Sequence, residues 1–192
     1  MKKIFCIAAA AALLLAFAAC GTTPAAKDTI TGTPEDVLAQ LKETVDLGMT
    51  FDDEITPDSA VSNPQTALGL TDAQFAQYVE SAFEAKAMIL TAAQRTAVVK
   101  CKDAAAAAQV KKLIAEGFDS NQWICVFPKQ SVVVESGSYV LLAVGQVDTT
   151  DALVEAFKTI SGGNTGSPDV FFTFDDEGGG GIEFGGGEPL LP

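Results

Sequence analysis

The chain has no histidine. That absence excludes a Ser-His-Asp or Cys-His triad, an imidazole metal ligand and a histidine pH switch. Basic residues are scarce too. Twelve Lys and Arg face 25 Asp and Glu over 192 residues, for a net charge of −13. Nucleic acid is excluded as a partner, because phosphate backbones are held by Lys and Arg clusters. The four cysteines include no C-x-x-C pair, which removes the usual redox motif. G-x-S-x-G, S-x-x-K and P-loop patterns are missing, and the run Gly178–Gly181 lacks the Lys-Ser/Thr that would make it a phosphate cradle. The sequence therefore points to no catalytic set, no metal-ligand set and no cofactor.

What is present begins at the N-terminus, MKKIFCIAAAAALLLAFAAC. Lys2 and Lys3 precede an apolar run from Ile4 to Ala19, the layout of a secretory signal. Phe17-Ala18-Ala19-Cys20 resembles the bacterial lipobox, with Phe17 where Leu is usual. Such a Cys is diacylated and becomes the mature N-terminus. Two acyl chains anchor stably where one binds marginally. The expectation is a lipoprotein on the outer face of the cell membrane, held through Cys20. Removing residues 1–19 discards Lys2 and Lys3 and no acid. The mature 173 residues then carry 10 basic and 25 acidic side chains, a balance of −15.

Residues 20–32 are small and polar and read as a flexible tether. From Thr33 a helical pattern starts, with Thr33 as N-cap, Pro34 at the first position and Val37, Leu38, Leu41 and Val45 as the apolar stripe. Residues 49–70 read as loop. A capping box, Thr71-x-x-Gln74, opens a short helix. Strands follow over 83–90 and 95–102, and Asp103 caps a helix over 104–116. Runs 131–135 and 139–145 flank Ser136-Gly137-Ser138 as a three-residue hairpin loop, and a last helix covers 149–160. The order α-α-β-β-α-β-β-α over 33–161 predicts an α+β domain: a four-stranded, mainly antiparallel sheet with helices packed on one face. Residues 162–192 hold ten of the 17 Gly, six acids and no base, and read as a Gly-rich disordered tail. Within it, Phe171, Phe172, Phe174, Ile182 and Phe184 are candidates for docking on some other surface.

Tyr78-Val79-Glu80, AMIL, TAVVKCKD over 96–103, SVVVESGSYVLLAVG over 131–145 and DALVEAF over 151–157 together resemble a family of Gram-positive lipoproteins catalogued as domain of unknown function 4358. The matching positions are Ala97, Val98, Lys100, Lys102, Asp103, Gly137, Tyr139 and Val140. Arg95 stands where the family usually has Glu, a reversal of charge. The likeness covers about 70–160 and implies location and fold, not an activity.

Several residues carry candidate chemistry. Cys101 and Cys125 remain once Cys6 is cleaved off and Cys20 is acylated. They form either a disulfide closing a 25-residue loop or two separate buried thiols. Lys100 and Lys102, beside Arg95, make the one positive cluster of the chain. That cluster either binds an anion, a wall polymer or the chain's own acidic tail, or protects a sheet edge. Lys111 and Lys112 read as a solvated helix face. Trp123 and Tyr139 are either an aromatic platform or core. The pentapeptide Thr-Phe-Asp-Asp-Glu occurs at 50–54 and again at 173–177. It reads as solvated acidic loop, as a source of Ca²⁺ oxygens, or as a docking peptide used twice. The leading functional expectation is a non-enzymatic, lipid-anchored protein that binds or scaffolds at the envelope, with an envelope protein or wall polymer as partner. The alternatives are an accessory lipoprotein for a small molecule or cation, and an envelope enzyme using carboxylates alone.

Overall fold

The computed structural model describes residues 29–88, 92–123 and 126–174. Helix α1, Pro34–Thr44, starts as its sequence dictates. The Thr33 hydroxyl accepts from the Asp36 N–H, and the Asp36 carboxylate accepts from the Thr33 N–H at 2.8 Å. The backbone and then the side-chain hydrogen bonds from Thr33 hold the Asp36 carboxyl below its ordinary range. Strand β1, Thr50–Glu54, and helix α2, Pro64–Leu68, come next. Helix α3, Asp72–Tyr78, opens on the expected Thr71–Gln74 box and runs straight into strand β2, Val79–Ala87. Strand β3, Arg95–Cys101, leads to helix α4, Ala104–Gly117, whose first turn is capped by Asp103. Strands β4, Gln130–Ser136, and β5, Tyr139–Gly145, join through Gly137-Ser138, a two-residue turn with Gly137 at φ 55°. Helix α5, Val147–Ile160, and strand β6, Asp169–Thr173, complete the described fold.

Among the described residues all strands form one antiparallel sheet in the order β1-β2-β3-β5-β4-β6. The sheet therefore has six strands and not the four expected. The two extra strands are its edges. Strand β1 lies in the expected loop 49–70 and β6 in the expected tail. Both are five residues long; β1 is mostly acidic, and β6, though it carries Val170, Phe171 and Phe172, is set in Gly-rich sequence. Ile30 is buried, Thr29 Oγ1 donates to the Ser161 carbonyl at 2.6 Å, and Tyr139 OH donates to the Gly32 carbonyl at 2.6 Å. The domain therefore reaches into the segment expected as tether.

Helices cover both faces, not one. Ala67 and Leu68 of α2 and Ala106, Ala107, Val110 and Ile114 of α4 pack on the face bearing Ala97, Val99, Val133, Val140 and Leu142. Val37, Leu38 and Leu41 of α1 and Leu153, Ala156 and Phe157 of α5 pack on the face bearing Ala85, Val98, Val134, Leu141 and Ala143. The topology requires this. The link β3-α4-β4 passes over β5, and β5-α5-β6 passes over β4, both moving the same way along the sheet. Strands β3 and β5 run in opposite directions, so crossovers of one hand must place α4 and α5 on opposite faces. The central strands are thus buried on both sides, which is why 139–145 is apolar without alternation.

One backbone contact fixes α2 against α4. Gly69 caps α2 at φ 71°, and a Cβ there would lie 2.3 Å from the backbone carbon of Gly117. A Cβ on Gly117 would lie 2.5 Å from the Gly69 oxygen. Only two glycines allow so close an approach.

Candidate functional site

The densest polar chemistry lies at one end of β2 and β3. Ala82 and Ala85 belong to opposite cores, so strand alternation places Glu84 and Lys86 on the α2–α4 face. Arg95 shares that face with Ala97 and Val99. Glu84 is completely buried and Arg95 nearly so. Arg95 Nε stands 2.7 Å from Glu84 Oε2, and Lys86 Nζ stands 3.5 Å from Oε1. The short contact is one of charge. It lies off the N–H axis, and neither Glu84 oxygen completes a hydrogen bond among the described residues.

A terminal nitrogen of Arg95 donates to the Thr66 carbonyl and, at 2.9 Å, to Gln122 Oε1. The guanidinium carbon sits 6.0 Å from the centre of the Trp123 ring. Burial lowers the Arg95 pKa, while the Glu84 charge and its side-chain contact oppose that shift. Lys86 donates to the Val61 carbonyl and to Ser62 Oγ, each at 3.2 Å. The cluster thus ties β2, β3, α2 and the segment after α4 together. Its carboxylate is sealed from solvent and faces two cations, so it has no approach for a substrate. Among the described residues no group of three His, Cys, Asp or Glu side chains is arranged to hold a metal ion.

The sequence marked Arg95, Lys100 and Lys102 as one cluster, and the structure does not bring them together. Arg95 and Lys100 lie on opposite faces of β3, five residues or about 17 Å apart. Lys100 pairs with Glu80 at 2.9 Å. Lys102 donates to the carbonyls of Ala76 and Gln77 at 2.7 and 3.0 Å, completing the last turn of α3. Arg95 is committed to Glu84. Glu84 was hidden in the sequence because it occupies an alternating polar position of β2, indistinguishable there from a solvated one. The available signal was the place of Arg95 on the same strand face as Ala97 and Val99, since a buried cation on one strand demands an anion on its neighbour.

Cys101 is buried and has no disulfide partner among the described residues; burial, helped by the charge of Asp103, pushes its thiol up to about 12. Cys125 and Cys20 lie outside the described residues. Trp123 packs on one core and Tyr139 on the other, so they form no shared platform. Lys112 is exposed, as a solvated helix face requires. Lys111 is not. It is buried and reaches Glu135 at 2.8 Å, Asp169 at 3.2 Å and the Ser167 carbonyl, fastening β6 to α4 and β4. Its long apolar stem lies along the core while its ammonium group meets these oxygens.

The repeated pentapeptide sits at the two edges of the sheet. Its first copy is β1 itself, and its second begins at the last residue of β6. In each, the Phe ring meets a lysine, Lys86 of β2 5.4 Å from Phe51 and Lys129, just before β4, 4.9 Å from Phe174. Phe174 also stacks on Phe127 at 5.2 Å, and Phe172 is buried. In the first copy Asp52 pairs with Lys42 of α1 at 2.6 Å. Residues 175–177 lie outside the described residues.

No helix among the described residues is long and apolar enough to cross a membrane. No family model, curated protein or solved structure matches the chain. The likeness to the lipoprotein family therefore rests on its motif residues alone.

Proposed function

We propose that this protein is a lipid-anchored component of the outer face of the cell membrane that works by binding a partner and not by catalysis. The observation that carries the reading is the N-terminal segment, a basic start and an apolar run that ends in small residues and Cys20. Two further observations support it. The domain's first fastening, at Thr29 and Ile30, leaves eight residues between it and Cys20. Fully extended, such a segment spans about 30 Å, so the domain would stay close to the lipid surface. The polar residues that are buried serve packing: Glu84, Arg95 and Lys111 join elements of the fold to one another. The likeness to the family of unknown function 4358 agrees with this location and brings no activity with it.

Membrane fractionation of the Cys20→Ala variant tests the location. The reading expects release into the medium or accumulation of the uncleaved precursor. Membrane retention and lipid labelling equal to those of the unaltered protein would contradict it.

A further inference from the structure

Seven large apolar side chains are exposed among the described residues, and four of them meet at one corner of the sheet. Met49 precedes β1, Phe51 lies within it, and Met88 follows β2. The Met88 N–H donates to the Met49 carbonyl at 3.1 Å. Phe51 stands opposite Lys86 in the β1–β2 register, and Lys86 also holds the Val61 carbonyl. Met49, Phe51, Val61 and Met88 thus form one exposed patch around the first edge strand. No strand of the described residues pairs with the outer side of β1, so the backbone groups of Thr50, Asp52 and Glu54 face outward without a strand partner; of these the Glu54 N–H is held by Asp53 Oδ1 at 3.0 Å, a local contact that an added strand would replace. An apolar patch beside an open edge is the geometry that accepts an added strand.

The charge of the edge selects the occupant. Asp52 is already taken by Lys42. Asp53 stands opposite the buried Glu84, a like-charge cross-strand pair, and Glu54 is exposed. A cation placed on the outer side of Asp53 would relieve that repulsion. A second copy of this chain would not supply one. Pairing β1 with itself about Asp52 sets Asp52 against Asp52, Phe51 against Asp53 and Thr50 against Glu54. An anionic lipid surface is repelled by the same acids.

We propose that β1 is a docking edge for an extended basic segment of a partner protein, added antiparallel as a seventh strand. Phe51 and Asp53 share one face, and an antiparallel partner meets Asp53 before Phe51. The segment therefore carries Lys or Arg two residues ahead of an apolar residue. This deepens the proposed binding role and rests on it. The anchoring test does not depend on it, so the two can fail separately.

The probe is a capped peptide with the core Lys-Lys-Thr-Val-Thr-Val. Its controls are the charge-reversed Glu-Glu form and the scrambled Val-Lys-Thr-Thr-Lys-Val. Each is titrated against the mature lipoprotein in nanodiscs by fluorescence anisotropy, and hydrogen exchange maps the contact. The proposal expects saturable binding of the first peptide, with slowed exchange of amides in 49–54. The double variant Asp53→Lys/Glu54→Lys changes two side chains outside both cores. It should bind the Lys-Lys peptide at least about tenfold more weakly and gain the Glu-Glu peptide instead. Equal binding of the scrambled peptide, protection elsewhere in the chain, or no saturable binding would each overturn the proposal. So would concentration-dependent self-association that protects the same amides without peptide, because the occupant would then be a second copy.

Discussion

Glu84 and Arg95 provide a sharp energetic test of the fold. Removing one partner of a buried pair leaves the other charge uncompensated, at a cost of about 3–5 kcal/mol. Both side chains here are buried, and when Arg95 is lost Lys86 at 3.5 Å is the cation that remains beside Glu84 among the described residues. Glu84→Met and Arg95→Met should therefore each cost about 3–5 kcal/mol. In a domain of this size that is a fall in Tm of roughly 10–15 °C. The double variant removes both charges, yet it also leaves the Thr66 carbonyl and Gln122 Oε1 without the Arg95 donor. Each such loss costs about 1–3 kcal/mol where the group stays dry. The double variant should thus be about as destabilised as one single, far short of the sum. A cycle of four urea-unfolding curves should give a coupling energy of at least about 2 kcal/mol. Additive effects, or single-variant losses below about 1 kcal/mol, would refute the claim that the pair is a desolvated tie across β2 and β3.

Three further outcomes are expected. Gly69→Ala combines a positive φ with a Cβ 2.3 Å from the Gly117 backbone and should cost more than about 2 kcal/mol in chemical denaturation. Gly48→Ala, also at positive φ but with open space around it, should cost about 1 kcal/mol and serves as the control. Lys111→Met should loosen β6 selectively, so hydrogen exchange at 169–173 accelerates while β3 and β5 keep their protection; uniform acceleration would count against the latch. Asp36 has its folded pKa depressed below that of an unperturbed aspartate, so its stabilising effect is present above the unperturbed pKa and lost as pH falls through the folded value. Asp36→Asn should therefore weaken the protein at neutral pH, and the difference between the two proteins should vanish in acid titration below the ordinary carboxylate range.

Much of the architecture was legible in the sequence because local chemistry and tertiary packing agree there. Thr33, Thr71 and Asp103 all cap the helices they were expected to cap, and the alternation across 95–101 places Ala97, Val99 and Cys101 on one core. The sheet edges were not legible. Thr50–Glu54 has one apolar residue in five and owes its strand form to β2, whereas Asp169–Thr173 carries Val170, Phe171, Phe172 and Thr173, a strand signal masked by the Gly-rich stretches around it. Coverage of both faces was signalled by Val132–Val134 and Tyr139–Val144, apolar at every position, a pattern that a sheet with one wet face does not produce. The burial of Lys111, expected on a solvated helix face, and of Glu84 is not legible in the sequence, because an ionic residue in a helical or alternating pattern looks alike whether its partner is water or another chain segment. Arg95, expected in a basic cluster, instead answers the charge of Glu84.

The functional account depends first on where the protein is held, and the N-terminal peptide recovered from membranes tests that directly. Mass spectrometry of the detergent-extracted protein should find Cys20 as the first residue, carrying a thioether-linked diacylglycerol. A mature chain beginning at another residue, or beginning at Cys20 with an unmodified thiol, would contradict the account.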